Sequence, residues 1–101
     1  MNAYLLDVSP LCDPALFARA LAMTLPSRQK RIEACPLPEE QRRLLGAGML
    51  LHRMLGVRRE EDISFNPCGK PSLSGGGPCF SLSHSGDYAL LAVSDAPLGA
   101  D

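Results

Sequence analysis

One long amphipathic segment constrains the fold of this chain more than any other feature. It runs from about Pro38 to Leu55 and is followed by Gly56, the residue type that most often ends a helix. Its apolar stripe consists of Leu44, Leu45, Gly48, Met49, Leu51 and Leu55. Gly46 and Gly48 each cost about 1 kcal/mol in a helix interior, so we expect another backbone to approach closely there. The helix must bury this face against another element.

Before this helix, the sequence predicts a strand and a shorter helix. Residues 3–8 form an apolar run typical of a strand, and Asp13 and Pro14 form an N-cap and first-turn pair for a helix over 15–25. The predicted buried face of that helix consists of Leu16, Phe17, Ala20 and Met23. Pro26 is predicted to stop it.

After the long helix, the sequence changes to strands and turns. Residues 63–65 predict a strand, 66–78 a turn-rich connection, and 79–83 with 87–94 a pair of strands. With 101 residues the chain is one domain at most. The order of elements predicts the α+β class, with a mainly antiparallel sheet packed against the long helix.

Composition excludes several classes of function. The formal net charge of −1 gives no bulk electrostatic reason to bind nucleic acid. No apolar run approaches the ~18 residues of a membrane span, and the first residues lack the pattern of a signal peptide. We therefore expect a cytoplasmic protein with no membrane or nucleic-acid partner. The four cysteines lack the paired spacing of a zinc site, and we expect buried, reduced thiols.

A polar knot, Ser83-His84-Ser85-Gly86-Asp87, separates the last two predicted strands. It contains the residue types of a hydrolase triad, but neighbours on a strand point to opposite faces and no G-x-S-x-G motif is present. Two interpretations stay open. His84 is either a turn residue without a ligand or, with the hydroxyls and turn amides beside it, part of an anion site.

A second candidate for anion binding lies at the start of the long helix. Arg42 and Arg43 occupy an early turn, where the helix dipole disfavours positive charge. They are either solvated and balanced by Glu39 and Glu40, or Arg42 holds an anion together with another group. Residues 27–35 predict a short basic helix or turn nearby.

Three motifs occur in order along the second half of the chain: GKP-L at 69–73, FSLSHSGDYALLAVS at 80–94 and PLGAD at 97–101. Together with the helix segment EEQRRLLGAGMLLHRML, they resemble the N-terminal half of a 4′-phosphopantetheinyl transferase of the broad-specificity, Sfp-like type. The resemblance extends from about Ser27 and, more loosely, to the first strand. It implies transfer of the 4′-phosphopantetheine arm of coenzyme A to a serine of an acyl or peptidyl carrier protein, with Mg²⁺. It also implies one half of a pseudo-two-fold, two-lobed fold.

The resemblance further implies roles for individual residues. The residues expected to bind coenzyme A are Arg42, Lys70, Pro71, Ser83, His84, Lys30 and Arg31. Arg42 would hold the 3′-phosphate with help from Lys30 or Arg31, a choice that the loose similarity there leaves open. His84 would reach a phosphate. Asp101 matches the first acid of the Mg²⁺ motif.

The catalytic set of that family is incomplete in this sequence. A second acid and a W-x-x-K-E segment would follow Asp101, so residues 1–101 are expected to be an N-terminal subdomain without the C-terminal half. We favour a fragment over a stand-alone half that pairs with itself, because short self-assembling members of the family carry both acids. The alternative function is a non-catalytic module that binds a nucleotide or carrier protein and self-associates. A homodimer would form through the face expected to meet the missing half.

Overall fold

The computed structural model describes residues 2–65, 67, 71–75 and 78–94. The α-helices and β-strands in this part of the chain are β1 (Asn2–Asp7), α1 (Pro14–Ala22), α2 (Pro26–Ala34), α3 (Pro38–Met54), β2 (Ile63–Phe65), β3 (Pro71–Leu73), β4 (Cys79–Ser85) and β5 (Tyr88–Ser94). Short 3₁₀ turns cover Ser9–Cys12 and Glu60–Asp62. The predicted α+β class is confirmed.

Both sheets among the described residues are antiparallel, as predicted. One sheet has the strand order β1-β5-β4, and β2 pairs with β3 in a separate two-stranded sheet. The β4–β5 hairpin turns at Gly86 and Asp87, because Ser85 pairs directly with Tyr88. Gly86 has a φ of 58°, in the left-handed region that glycine adopts without strain. This hairpin presents the polar knot at one end of the sheet.

Helix α3 contributes the largest share of the buried core. Leu44, Leu45, Leu50 and Leu51 are buried on it. At Gly46 an added Cβ would lie 3.2 Å from the Cβ of Ala89 on β5 and would overlap the Val8 side chain. The close approach predicted there is therefore real, but it is made by side chains rather than by backbone. As predicted, Gly56 follows the helix, with a φ of 68°.

Helix α1 differs from its prediction at its end and on its face. The Asp13 carboxylate accepts a hydrogen bond from the Ala15 amide at 2.9 Å, which confirms the N-cap. The helix ends at Ala22, and Pro26 begins α2 instead of stopping α1, because proline is also favourable in a first helical turn. Met23, predicted to be buried, is 59% exposed.

Three further findings complete the fold. β3 lies inside the stretch predicted as a turn-rich connection. Cys12 is exposed and Cys35 and Cys79 are half-buried, all three as free thiols, so the prediction of buried cysteines is wrong for Cys12. Within the described residues, no helix combines the length and apolar character needed to cross a membrane.

Candidate anion-binding site

A cavity of about 520 Å³ lies among α2, α3, β4 and the β2–β3 hairpin. Its apolar walls include Leu25, Leu44, Ala47, Leu51, Ile63 and Phe80. Three basic side chains, Arg28, Arg31 and His84, and one acidic side chain, Glu60, also line it. A pocket with apolar walls and a few charged groups suits a ligand that joins a flat apolar part to an anionic part.

The two arginines come from one face of α2. Arg28 and Arg31 are three residues apart, which places them on neighbouring turns of the same side of the helix. Ile32 is fully buried and anchors the adjoining face in the core. Arg28 donates from Nη1 to the Leu44 carbonyl oxygen at 3.2 Å. Helix α2 is therefore held against α3 while its arginines face the cavity.

The electrostatics of this pair favour an anion. Burial lowers the pKa of Arg28, and the nearby charge of Arg31 lowers it further. Among the described residues, neither arginine makes an ion pair with a carboxylate. A half-buried guanidinium beside a second one gains from a negative charge placed between them. The arrangement can thus bind phosphate or carboxylate groups through charged forks.

The first turn of α2 is already occupied by a carboxylate. Glu60 accepts hydrogen bonds from the Ser27 amide at 2.7 Å and from the Ser27 hydroxyl at 2.8 Å. Glu60 therefore satisfies part of the positive helix terminus that an anion could otherwise use. A ligand in this cavity would meet the side chains of α2 rather than this amide.

His84 reaches the same cavity from β4. Its side chain is 37% exposed, and its Nε2 lies 3.4 Å from Oε1 of Glu40 on α3. Arg43 pairs with the other oxygen of Glu40 at 2.6 Å and donates from Nη1 to the Gly86 carbonyl oxygen at 2.9 Å. For Arg43, the predicted balance by Glu40 is confirmed, whereas its predicted solvation is wrong, because the guanidinium ties α3 to the hairpin.

The structure brings together three of the residues predicted to bind coenzyme A, namely Arg31, Pro71 and His84, at one cavity. Three others do not line it: Lys30 is exposed on α2, Arg42 is half-buried on α3, and Ser83 is exposed on β4. Lys70 and Asp101 lie outside the described residues.

Sequence reasoning missed Arg28, which the cavity adds to the predicted set. Its spacing from Arg31 could have revealed it, because residues three apart share a helix face. Lys30 stands about 100° around the helix from Arg31, which explains why only one of the two alternatives reaches the cavity.

No group of three or more histidine, cysteine, aspartate or glutamate side chains is arranged to hold a metal ion within the described part of the chain. The predicted Mg²⁺ ligand, Asp101, is outside that part. A second cavity, of about 590 Å³, lies between α1 and α3, and none of the predicted site residues lines it. No protein-family model matches the chain, and no similar curated protein was found.

Proposed function

We propose that this chain is the coenzyme A-binding half of a 4′-phosphopantetheinyl transferase. The observation that carries the proposal is the convergence of Arg28, Arg31 and His84 on one cavity with apolar walls. The order of the sequence motifs supports the same assignment. The two lines of support overlap at His84, which belongs to one of the motifs, whereas Arg28 and Arg31 belong to none of them.

The chemistry of the ligand matches this arrangement. Coenzyme A carries a 3′-phosphate and a pyrophosphate, so its site needs several separated cations beside a surface for the adenine ring. Arg28 and Arg31 can each bind a phosphate through a planar fork, and His84 adds a donor from a different element. In phosphoryl transfer the protein mainly positions groups and neutralises charge. These three residues would do both for the donor substrate.

Mg²⁺, when bound, would neutralise charge on the pyrophosphate, and Asp101 is the residue of this chain proposed to hold it. We further propose that the long helix and its sheet form one lobe of a pseudo-two-fold pair in a cytoplasmic enzyme. The acceptor would be a serine of an acyl or peptidyl carrier protein.

A second candidate function is a binding module that self-associates without chemistry. Leu5 on the edge strand β1 is 65% exposed and lies opposite Leu90 of β5. Exposed apolar side chains on a sheet favour association with another surface. A homodimer through this face should dissociate in the Leu5→Glu variant, whereas Thr in place of the exposed Ser72 should leave it intact. Sedimentation velocity measures both, and a monomeric parent chain would contradict the dimer.

Titration calorimetry and a transfer assay separate the two functions. The 101-residue chain should bind coenzyme A, and with the C-terminal half, Mg²⁺ and a carrier protein it should add the mass of phosphopantetheine to the carrier. Binding without any transfer by the complete enzyme would favour the module. Absence of coenzyme A binding would contradict the transferase half and leave only a module that binds another nucleotide or a carrier protein.

Arg42 does not line the cavity, so it tests whether bound coenzyme A extends beyond that cavity. Arg42→Ala should weaken the binding of coenzyme A more than that of dephospho-coenzyme A, by about 1.5–3 kcal/mol, because only coenzyme A carries the 3′-phosphate. Equal losses for the two ligands would show that Arg42 does not contact that group.

A further inference from the structure

Two side chains at the start of α3 connect this helix to the tip of the β4–β5 hairpin. The Glu40 carboxylate is shared: Oε2 pairs with Nη2 of Arg43 at 2.6 Å, and Oε1 lies 3.4 Å from Nε2 of His84. Arg43 uses its other terminal nitrogen to donate to the Gly86 carbonyl oxygen at 2.9 Å. Glu40 and Arg43 thus contact both the histidine and the turn beside it. We call these two residues the α3 clamp.

The charges within the clamp balance each other. The hydrogen bond from Arg43 holds the pKa of Glu40 below its ordinary value, opposed by partial burial and assisted by the charges of His84, Arg43 and Arg31. Glu40 therefore stays ionised, and its charge is balanced mainly by Arg43. The side chains of Arg43 and Glu40 are only 18% and 28% exposed, so water competes weakly for these contacts.

The clamp decides which nitrogen of His84 a ligand can use. A carboxylate beside one ring nitrogen favours the tautomer that carries its proton on that atom. With Nε2 3.4 Å from Oε1 of Glu40, Nδ1 is the nitrogen left for another partner, and His84 lines the cavity with Arg28 and Arg31. Nδ1 can donate to an anion only when both ring nitrogens carry a proton. An unclamped imidazole would sample both tautomers and several rotamers.

We propose that Glu40 and Arg43 are positioning residues that hold the His84 ring and the Gly86 turn in the arrangement used for anion binding. This inference rests on the proposed function, because the anion is taken to be a phosphate of coenzyme A. Neither Glu40 nor Arg43 lines the cavity. They act on the ligand through His84.

The sign of the effect separates positioning from simple electrostatics. Removing a negative charge close to a cationic cavity should by Coulomb's law strengthen anion binding. If the clamp positions His84, Glu40→Ala should instead weaken coenzyme A, by roughly three- to tenfold. Glu39→Ala removes the same charge one residue away, from an exposed side chain that forms no ion pair with His84 among the described residues, and should not weaken binding. Tighter binding by Glu40→Ala would overturn the proposal.

A double-mutant cycle tests whether Glu40 acts through His84. In the His84→Ala background, Glu40→Ala should cost no further affinity. In the parent chain, Glu40→Gln should lose less affinity than Glu40→Ala, because the amide oxygen still accepts a hydrogen bond. Equal losses with and without His84 would show a general structural role and contradict the clamp. Thermal unfolding of each variant reports any loss of folded protein separately.

An NMR measurement on the ligand-free chain tests the clamp independently of the proposed function. Long-range ¹H–¹⁵N NMR of the His84 ring should show the Nε2-protonated tautomer in the parent chain at a pH where the ring is neutral, and a mixture in Glu40→Ala. A mixture in both chains would overturn the clamp. If the expected tautomer change appears but the parent chain does not bind coenzyme A, the clamp stands and the proposed ligand is wrong.

Discussion

Two pairs of arginines in this chain look alike in the sequence and differ in their surroundings. Arg28 and Arg31 on α2 line the cavity of the candidate anion-binding site and make no ion pair with a described carboxylate. Arg58 and Arg59 follow α3 beside three acids. Asp62 accepts from the Arg58 amide at 3.0 Å and from the Arg59 amide at 3.1 Å, and its Oδ1 lies 3.3 Å from Nη2 of Arg59.

The acids beside Arg59 lie next to it in the sequence, whereas the α2 pair shares its cavity with Glu60 but forms no ion pair with a described carboxylate. The acids that follow Arg59 neutralise it locally, within one 3₁₀ turn. On α2, the acidic residue nearest in the sequence is Glu33, which is exposed and makes no ion pair in the described structure. The pair on α2 therefore stands to gain more from a bound phosphate, although the formal charges of the two pairs are equal.

The largest effect is expected when both arginines of one pair are removed. Arg28→Ala with Arg31→Ala should weaken coenzyme A about a hundredfold or more, since each charge-assisted contact contributes about 1.5–3 kcal/mol. The matched variant, Arg58→Ala with Arg59→Ala, should change affinity by less than about threefold. Titration calorimetry measures both. Similar losses for the two variants would remove the distinction between the pairs.

The two glycines of α3 offer a subtler way to disturb only one pair. A Cβ at Gly48 would lie 2.7 Å from Cδ of Arg28, whereas one at Gly46 would meet Val8 and Ala89. Alanine at either position should reduce the unfolding free energy by about 1–3 kcal/mol. Only Gly48→Ala should also weaken the binding of coenzyme A, because the added methyl group displaces Arg28.

Denaturant unfolding and calorimetry together distinguish these outcomes. Gly75→Ala is the control, since nothing lies within 4 Å of a Cβ added at Gly75. If Gly46→Ala and Gly48→Ala weakened the ligand equally, the loss would reflect the fold in general and not the position of Arg28.

The smallest effect concerns pH and Asp62, whose carboxylate pairs with Arg59. Hydrogen bonding by the Arg58 amide holds the pKa of Asp62 below its ordinary value. The charged carboxylate therefore stabilises the folded state at pH values above its ordinary pKa, and this contribution is lost as the pH falls through the lowered value. Asp62→Asn should be less stable than the parent at neutral pH, and the difference should shrink in acid.

Urea unfolding at a series of pH values checks this prediction, with Glu61→Gln as the exposed control. Coenzyme A affinity at neutral pH should not change in Asp62→Asn. A loss of affinity there would mean that the loop pair and the α2 pair are not independent.

Helical periodicity and turn chemistry predicted much of the fold. The bounds of α3, its terminating Gly56 and strand β2 at 63–65 agree with the sequence-based expectation. Strand β3 was missed because it is only three residues long and begins with Pro71, a residue that argues against a strand. The buried face of α1 was misassigned because a groove, not the core, lies beside Leu16 and Met23.

The candidate site was only partly predictable. Pro71 and His84 were predicted from their motifs, and Arg31 as one of two alternatives with Lys30. Arg28 belongs to no motif and emerges only when α2 is placed against the cavity. The clamp was not predicted either, since Glu40 and His84 are far apart in sequence and meet only through the packing of α3 near the hairpin. Spacing within one element can be read locally, but a contact between two elements depends on how they pack.

The contact between Ser27 and Glu60 has a topological consequence. It joins residues that are 33 positions apart and so closes a ring that contains α3 and all of α2 except Pro26. Residues inserted between the two helices, or after α3, would lengthen this ring, and the contact between Ser27 and Glu60 would then have to close a longer loop. The orientation of α2, and with it that of Arg28, therefore depends partly on chain length in segments that do not line the cavity.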